Sequence, residues 1–156
     1  MLVMTAKVDK KKLAILFGAV VVAIAAIAVL FRGGGDSTPT LSGSVTDNES
    51  RVEFLKGFGW NVNATPVESS QVKIPKDPSD IFDRYNELQK SQGYDLSKFA
   101  GKTVMRYVYE ITNFPDATEP VYATLLVYKD EIIGGDVTDT SAKGKIQGFK
   151  MPQKDE

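Results

Sequence analysis

The chain has 156 residues, of which 25% are charged, and it contains neither cysteine nor histidine. Disulfide bonds, thiolate nucleophiles, the usual zinc sites and hydrolases with a histidine base are therefore excluded. Residues 33–156 carry 14 basic and 19 acidic side chains, which argues against a nucleic-acid partner because phosphate binding depends on lysine and arginine. We predict no cofactor and no metal ion.

The first predicted element is an uncharged run of nineteen residues from Leu13 to Phe31. As a helix rising ~1.5 Å per residue it is roughly 28 Å long, close to the ~30 Å hydrocarbon core of a bilayer. Four lysines precede the run and only Arg32 follows it directly, so residues 1–12 are expected in the cytoplasm and the rest outside. The sequence predicts a single-pass protein of the cell membrane, held in the lipid bilayer by a signal anchor.

A cleaved signal peptide is the alternative interpretation of this run. Ala23-Ile24-Ala25 and Ala26-Ile27-Ala28 both match the small-x-small pattern of a cleavage site. The apolar part of a signal peptide is usually ~7 to 15 residues long, whereas this one continues to Phe31. Retention is favoured, and cleavage would instead release a secreted protein.

The rest of the chain divides into a linker, one domain and a tail. Residues 32–46 are rich in glycine, serine and threonine, a composition typical of a flexible linker. Residues 47–150 are enough for one extracytoplasmic domain with a modest core. Residues 151–156 look like a frayed tail.

Two helices and two short strands are predicted in the first half of the domain. Thr46 and Glu49 form a capping-box pattern for the first helix, which Gly57 and Gly59 end. The second helix is capped by Asp77, has Pro78 at its first position and ends at Gly93. The apolar positions are Val52, Leu55 and Phe58 in the first helix, Trp60, Val62 and Val67 in one strand, Val72 and Ile74 in the next, and Ile81, Phe82, Tyr85 and Leu88 in the second helix.

Three longer strands are predicted after Gly101. Residues 103–112 alternate as in a half-buried strand, 121–129 form the next strand, and 132–137 form the third after a turn at Asp130-Glu131. Strands joined so tightly are antiparallel. The predicted fold class is α+β, a small domain with helices packed on one face of a curved antiparallel β-sheet.

A set of short motifs follows in fixed order along the predicted domain. The motifs are Phe54-Leu55, Gly59-Trp60, Ile74-Pro75, Tyr85-Asn86, Leu88-Gln89, Gly93-Tyr94-Asp95-Leu96, Gly101-Lys102, Arg106-Tyr107 and Ile133-Gly134-Gly135-Asp136. The set resembles the domain of unknown function 4830 family of Clostridia-type Firmicutes, over roughly residues 50 to 149. The resemblance implies a host type and an amino-terminal membrane helix, and it brings no known activity.

The first candidate binding surface is the group Tyr85, Asn86 and Gln89 on the second helix. Their spacing places Tyr85 and Gln89 on one helix face beside the apolar row. The structural alternative puts Tyr85 in the core with its hydroxyl at the rim and makes Gln89 a partner for a loop carbonyl.

The second candidate is Gly134-Gly135-Asp136, near the end of the third long strand. Two glycines weaken a strand unless the backbone bulges or another group approaches closely. One interpretation is a β-bulge with Asp136 capping the next turn. The other is an open backbone that meets a cation or an extended envelope protein or peptide partner, which adds as a further strand oriented by Asp136. One carboxylate does not make a metal site.

Two classes of function remain open. The favoured one is a membrane-tethered binding or regulatory module, which needs no reactive side chain. The alternative is a cell-envelope hydrolase that uses carboxylate or lysine chemistry. Ser70 and Lys73 match the serine-x-x-lysine pattern of penicillin-interacting enzymes, but in a strand a spacing of three places them on opposite faces. We therefore predict no catalytic residues.

Overall fold

The computed structural model describes residues 44–153, so the predicted membrane segment, the residues before it and most of the linker lie outside the described residues. In this part of the chain, no helix is long and apolar enough to cross a membrane. Its elements are α1 (Asn48–Gly57), β1 (Glu68–Lys73), α2 (Asp80–Ser91), a 3₁₀ helix (Leu96–Phe99), β2 (Thr103–Ile111), β3 (Val121–Tyr128), β4 (Glu131–Asp139) and β5 (Ile146–Gln147).

The strands form one antiparallel sheet in the order β1-β2-β3-β4-β5. Lys129 and Asp130 join β3 to β4 and both have positive φ, 48° and 64°, as a two-residue type I′ hairpin requires. The register shifts opposite Leu126 and Val127, where Ile133 is the extra residue of β4. The predicted α+β class with an antiparallel sheet is confirmed.

The prediction that the helices lie on one face of the sheet is wrong. Phe54 of α1 packs in a core cluster with Tyr109, whereas Tyr85 of α2 packs in a second cluster with Val104. Tyr109 and Val104 are an odd number of residues apart on β2, so their side chains point to opposite faces. The sheet is therefore covered on both faces. β3 and β4 are buried over most of their length, whereas β2 alternates between buried and partly exposed residues up to Val108.

Both helices begin later than predicted. The cap of α1 is Asp47, whose Oδ1 accepts a hydrogen bond from the Ser50 amide at 2.7 Å, while Ser50 Oγ accepts one from the Asp47 amide. The cap of α2 is Ser79, whose hydroxyl accepts from the Phe82 amide.

One strand takes the place of the two short strands predicted before α2. Trp60 is fully buried and donates from Nε1 to the Phe149 carbonyl at 2.6 Å, and Val62 makes a single bridge with Ile111. These residues serve the core and do not form a strand of their own. β1 is the regular strand of this region.

The predicted tail begins later than residue 151. Met151 is partly buried against the core cluster that contains Phe149, and its side chain lies beside Gly59. Residues 152 and 153 are exposed, and 154–156 lie outside the described residues.

Candidate functional site

The structure brings five of the six predicted site residues together between α2 and β4. Tyr85 and Gln89 lie on the buried face of α2 and bond to Asp136 and Gly135 of β4. Gly134 lies beside Gln89, whereas Asn86 bonds to the loop after the helix. All six are buried, and the exposed fractions of Gln89 and Asp136 are 0% and 2%. They form a polar contact within the domain, so none of them offers a free face in this geometry. A role for them in partner binding stays a prediction.

Asp136 lies in the interior of β4 and does not cap a turn, which corrects the interpretation of Asp136 as a turn cap. Its Oδ1 accepts a hydrogen bond from the Tyr85 hydroxyl at 2.8 Å, and its Oδ2 accepts one from the Thr138 hydroxyl at 2.7 Å. Arg106 of β2 lies within electrostatic range of the carboxylate and pairs with Glu68 at 2.6 Å. A charged network thus runs beneath α2 from β1 to β4.

Burial dominates the acid-base behaviour of the Tyr85–Asp136 pair. Desolvation raises the pKa of Asp136, and the hydrogen bonds from Thr138 and Tyr85 with the charge of Arg106 offset only part of that rise. Desolvation, followed by the Asp136 charge, raises the pKa of Tyr85 well above its usual value. The Tyr85 hydroxyl therefore stays protonated at neutral pH and is the donor of the hydrogen bond to Asp136.

Asn86 connects α2 to the loop that follows it. Its Oδ1 accepts from the Leu96 amide at 2.7 Å, and its Nδ2 donates to Asp95 at 2.9 Å. Asp95 caps the 3₁₀ helix and accepts from the amide and hydroxyl of Ser97. The Ser97 hydroxyl first, and then Asn86, lower the pKa of Asp95 to about 2.

Gln89 and Gln92 close the outer edge of β4 at Gly135. The Gly135 amide donates to Gln89 Oε1 at 2.8 Å, and the Gly135 carbonyl accepts from Gln92 Nε2 at 3.0 Å. Gln92 Oε1 in turn accepts from the Phe149 amide at 2.7 Å. The sequence reasoning missed Gln92, whose only local signal is a polar residue before a helix-ending glycine.

The rest of the β4 edge is covered by other backbone. Ser44 bridges Glu131 at the start of the strand, and the Val45 amide donates to the Asp130 carbonyl. β5 pairs with Val137 and Thr138 at the other end. The expectation of an open backbone at Gly134-Gly135 is therefore wrong, because Gln89 of α2 and the C-cap residue Gln92 occupy the donor and acceptor of Gly135.

β1 is the opposite edge of the sheet, and it has no strand beyond it among residues 44–153. The Ile74 amide bonds to the Lys102 carbonyl directly across the ladder. Because hydrogen-bonding direction alternates along an antiparallel strand, the backbone groups of Ser69, Gln71 and Lys73 point away from β2. All three residues are exposed. We call these three residues the β1 edge row.

Two features limit the length of the β1 edge row. Val67 and Glu68 both lie opposite Val108, as in a β-bulge, since the Val67 amide bonds to the Val108 carbonyl. Pro75 has no amide hydrogen and follows shortly after Lys73. The sequence signal for this row is a short polar segment without glycine or proline. In the sequence, Lys73 was considered with Ser70 as a possible catalytic pair and not as part of an open edge.

The described residues supply little for catalysis. Ser70 and Lys73 both lie in β1 and point to opposite faces of the sheet. In residues 44–153 no three acidic side chains are grouped so that they could hold a metal ion. The buried carboxylate of Asp136 has both oxygens occupied by hydroxyl donors.

Comparison with known proteins identifies the family and nothing closer. The family model described as Domain of unknown function (DUF4830) matches residues 54–137, which is more than half of the chain. No curated protein and no solved structure matches. The matched region runs from α1 to β4 and includes Gly134, Gly135 and Asp136. The chain belongs to the domain of unknown function 4830 family.

Proposed function

We propose that this protein is a single-pass membrane protein whose extracytoplasmic domain is a binding or regulatory module, and that the β1 edge row is its protein-binding site. The partner is an extended polypeptide segment, which adds to the sheet as a further strand. The uncharged run from Leu13 to Phe31 and the lysines before it support the membrane topology. The glycine-rich residues that follow supply the tether.

We choose this site because the two sides of the sheet differ: the β4 side is covered by other groups of the domain, and the β1 edge is open. The β4 edge is covered by Ser44, by the side chains of Gln89 and Gln92, and by β5. The β1 edge keeps its outward backbone groups exposed over three alternate residues. Proteins usually cover or blunt sheet edges because open edges pair with other chains. β1 is blunted at its two ends, by the bulge at Val67-Glu68 and by Pro75, and the residues that stay open between them are the place to expect a partner.

The side chains around the edge indicate the partner's chemistry. The side chains of the β1 edge row lie on one face of the sheet. Two of them, Ser69 and Gln71, are polar and uncharged, and the third, Lys73, is a cation at the end of the row. On the other face Ser70 and Val72 are half-buried. A partner strand that alternates polar residues on the first face with small apolar residues on the second complements both rows.

Site-specific photo-cross-linking in intact cell membranes tests this proposal. A photo-reactive amino acid is placed in the full chain at position 69, 71 or 73, one position at a time, and the adducts are mapped by mass spectrometry. Strand addition predicts that the three positions react with partner residues spaced two apart in one segment. Adducts without that spacing, or no adducts at any of the three positions, would contradict the proposal.

Two proline variants provide a matched control. Gln71→Pro removes an amide that faces outward, so it leaves the β1–β2 ladder intact and blocks an incoming strand. Val72→Pro removes an amide that faces β2, so it breaks the ladder itself. We expect Gln71→Pro to abolish the adducts of positions 69 and 73 while changing the free energy of unfolding by less than about 1 kcal/mol. Val72→Pro is expected to cost about 3 kcal/mol.

A further inference from the structure

We infer that the segment accepted by the β1 edge row is the β1 edge row of a second copy of this chain, so that two domains form one continuous sheet with two-fold symmetry. This inference rests on the proposed function and names its partner. β4 is covered at its start, at Gly135 and by β5, and β5 itself has only two residues. Among the described residues, β1 is therefore the edge on which two copies can pair over several residues.

The two-fold pairing has one register that uses the whole row. Outward residues of one strand must lie opposite outward residues of the other. With Gln71 on the symmetry axis, Ser69 lies opposite Lys73 of the second copy and Lys73 opposite its Ser69. All three outward residues of each copy then bond, giving about six backbone hydrogen bonds. Moving the axis to Ser70 leaves Lys73 opposite Val67, whose amide already bonds to Val108.

The side-chain charges and the positions at which the two edge rows end favour the same arrangement. No like charges face each other in this register, because each lysine lies opposite a serine and the two glutamines meet at the axis. The bulge at Val67-Glu68 and the proline at position 75 lie opposite each other, so the two rows end together. Membrane anchoring adds a further contribution, because copies held in one membrane plane meet at a higher effective concentration than free domains.

The pairing also stops at two copies. A domain that is open at both edges would add further copies and form a filament, whereas an isologous contact at one edge is closed. The contacts of Gln89 and Gln92 with Gly135 therefore also limit assembly, because they prevent a further strand from pairing with β4 there.

Cysteine cross-linking tests the register, since the chain has no cysteine of its own. In the full chain in cell membranes, Gln71→Cys places the two thiols on residues about 5.5 Å apart at Cα, within disulfide range. In Ser69→Cys alone or Lys73→Cys alone the two copies of the cysteine are roughly 13 Å apart, beyond that range. We expect mild oxidation to give a dimer with Gln71→Cys, no dimer with either of the other two alone, and a dimer when Ser69→Cys and Lys73→Cys chains are mixed.

Glu119→Cys, in the exposed β2–β3 connection, is the control for random collision. Equal dimer formation by Glu119→Cys and Gln71→Cys would overturn the inference. Dimer formation by Ser69→Cys alone would overturn the register and with it the inference. If Gln71→Cys stays monomeric while the photo-cross-links of the preceding section lead to a different protein with two-residue spacing, the inference fails and the proposed function stands. If the cysteine and photo-cross-linking assays are both negative, the inference and the proposed function both fail.

Discussion

Gln92 donates a hydrogen bond from Nε2 to the carbonyl oxygen of Gly135, 3.0 Å away, and so stands where another strand would otherwise pair. Its Oε1 accepts from the Phe149 amide on the other side, so one side chain connects β4 to the carboxyl-terminal segment. The C-cap residue of α2 thereby closes a sheet edge. The contrast between this closed edge and the open β1 edge row underlies the proposed function.

Removing the Gln92 contacts is expected to weaken the domain. Gln92→Ala leaves the Phe149 amide and the Gly135 carbonyl without their side-chain partner, at a cost of about 1–3 kcal/mol in the free energy of unfolding. Urea denaturation of residues 44–156 measures this change. Gln71→Ala, at an exposed residue of β1, is the matched control and should change the value by less than about 0.5 kcal/mol. Equal effects of the two substitutions would show that Gln92 does not close the edge.

Gly135→Ala is expected to disrupt the sheet itself. A Cβ atom at this position would meet the Thr124 carbonyl oxygen and the ring of Phe149, and backbone on β3 cannot give way as a flexible side chain can. The expected cost is about 3 kcal/mol or more. Gly93→Ala is the comparison, because a Cβ there meets nothing within 4 Å and only the positive φ of 88° is strained, costing roughly 1–2 kcal/mol. A Gly135→Ala domain as stable as Gly93→Ala would contradict the packing described for β4.

The buried Asp136 carboxylate predicts a pH dependence of stability. Its pKa is raised in the folded state, so the folded protein binds the proton more tightly, and this contribution to stability is lost as pH rises from the unfolded value, near 3.8, through the folded pKa. Asp136→Asn removes this titration and keeps a polar group beside Tyr85. We expect the stability of the natural domain relative to Asp136→Asn to fall as pH rises from 3.5 to 7.

Urea denaturation at several pH values measures this difference. The natural domain must be compared with Asp136→Asn because Asp95 has the opposite effect. The pKa of Asp95 is lowered to about 2 in the folded state, so its contribution to the stability of the domain is lost as pH falls from near 3.8. Asp95 is present in both proteins, so its contribution cancels. A relative stability that rises with pH would mean that hydrogen bonds, and not burial, control the pKa of Asp136.

The sequence predicted the parts of this fold that depend on local pattern. Alternation in residues 103–112 marked β2, and the turn predicted at Asp130-Glu131 marked the β3–β4 hairpin. The structure has that turn one residue earlier, at Lys129 and Asp130. It did not predict that α1 and α2 cover opposite faces, because Val104 and Tyr109 are both apolar enough to be buried and either face could have been the solvent face.

The candidate site shows the same limit. The sequence identified Tyr85 and Asp136 as members of two separate candidate surfaces. That the two surfaces meet inside the domain depends on how α2 packs on β4, and no local pattern states this. Gln92 was missed because its partners lie 43 and 57 residues away. The open edge at β1 is likewise a property of the whole sheet order and not of the strand's own residues.

The membrane topology is tested by external protease on intact cells. We expect residues after Arg32 to be digested while the lysine-rich amino-terminal end is protected, because positive charge retains a segment in the cytoplasm. Detection uses one epitope tag at each end. Protection of the carboxyl-terminal tag would contradict the topology, whereas the appearance of the domain in the medium would indicate signal-peptide cleavage.

The most direct test of the open edge is residue-resolved amide hydrogen exchange in residues 44–156 at high dilution. The account predicts fast exchange at Ser69, Gln71 and Lys73, slow exchange at Val72, whose amide faces β2, and slow exchange at Gly135, whose amide is bonded to Gln89. Protection of the β1 edge row equal to that of Gly135 would mean that the β1 edge is covered, and it would remove the basis of the proposed strand addition.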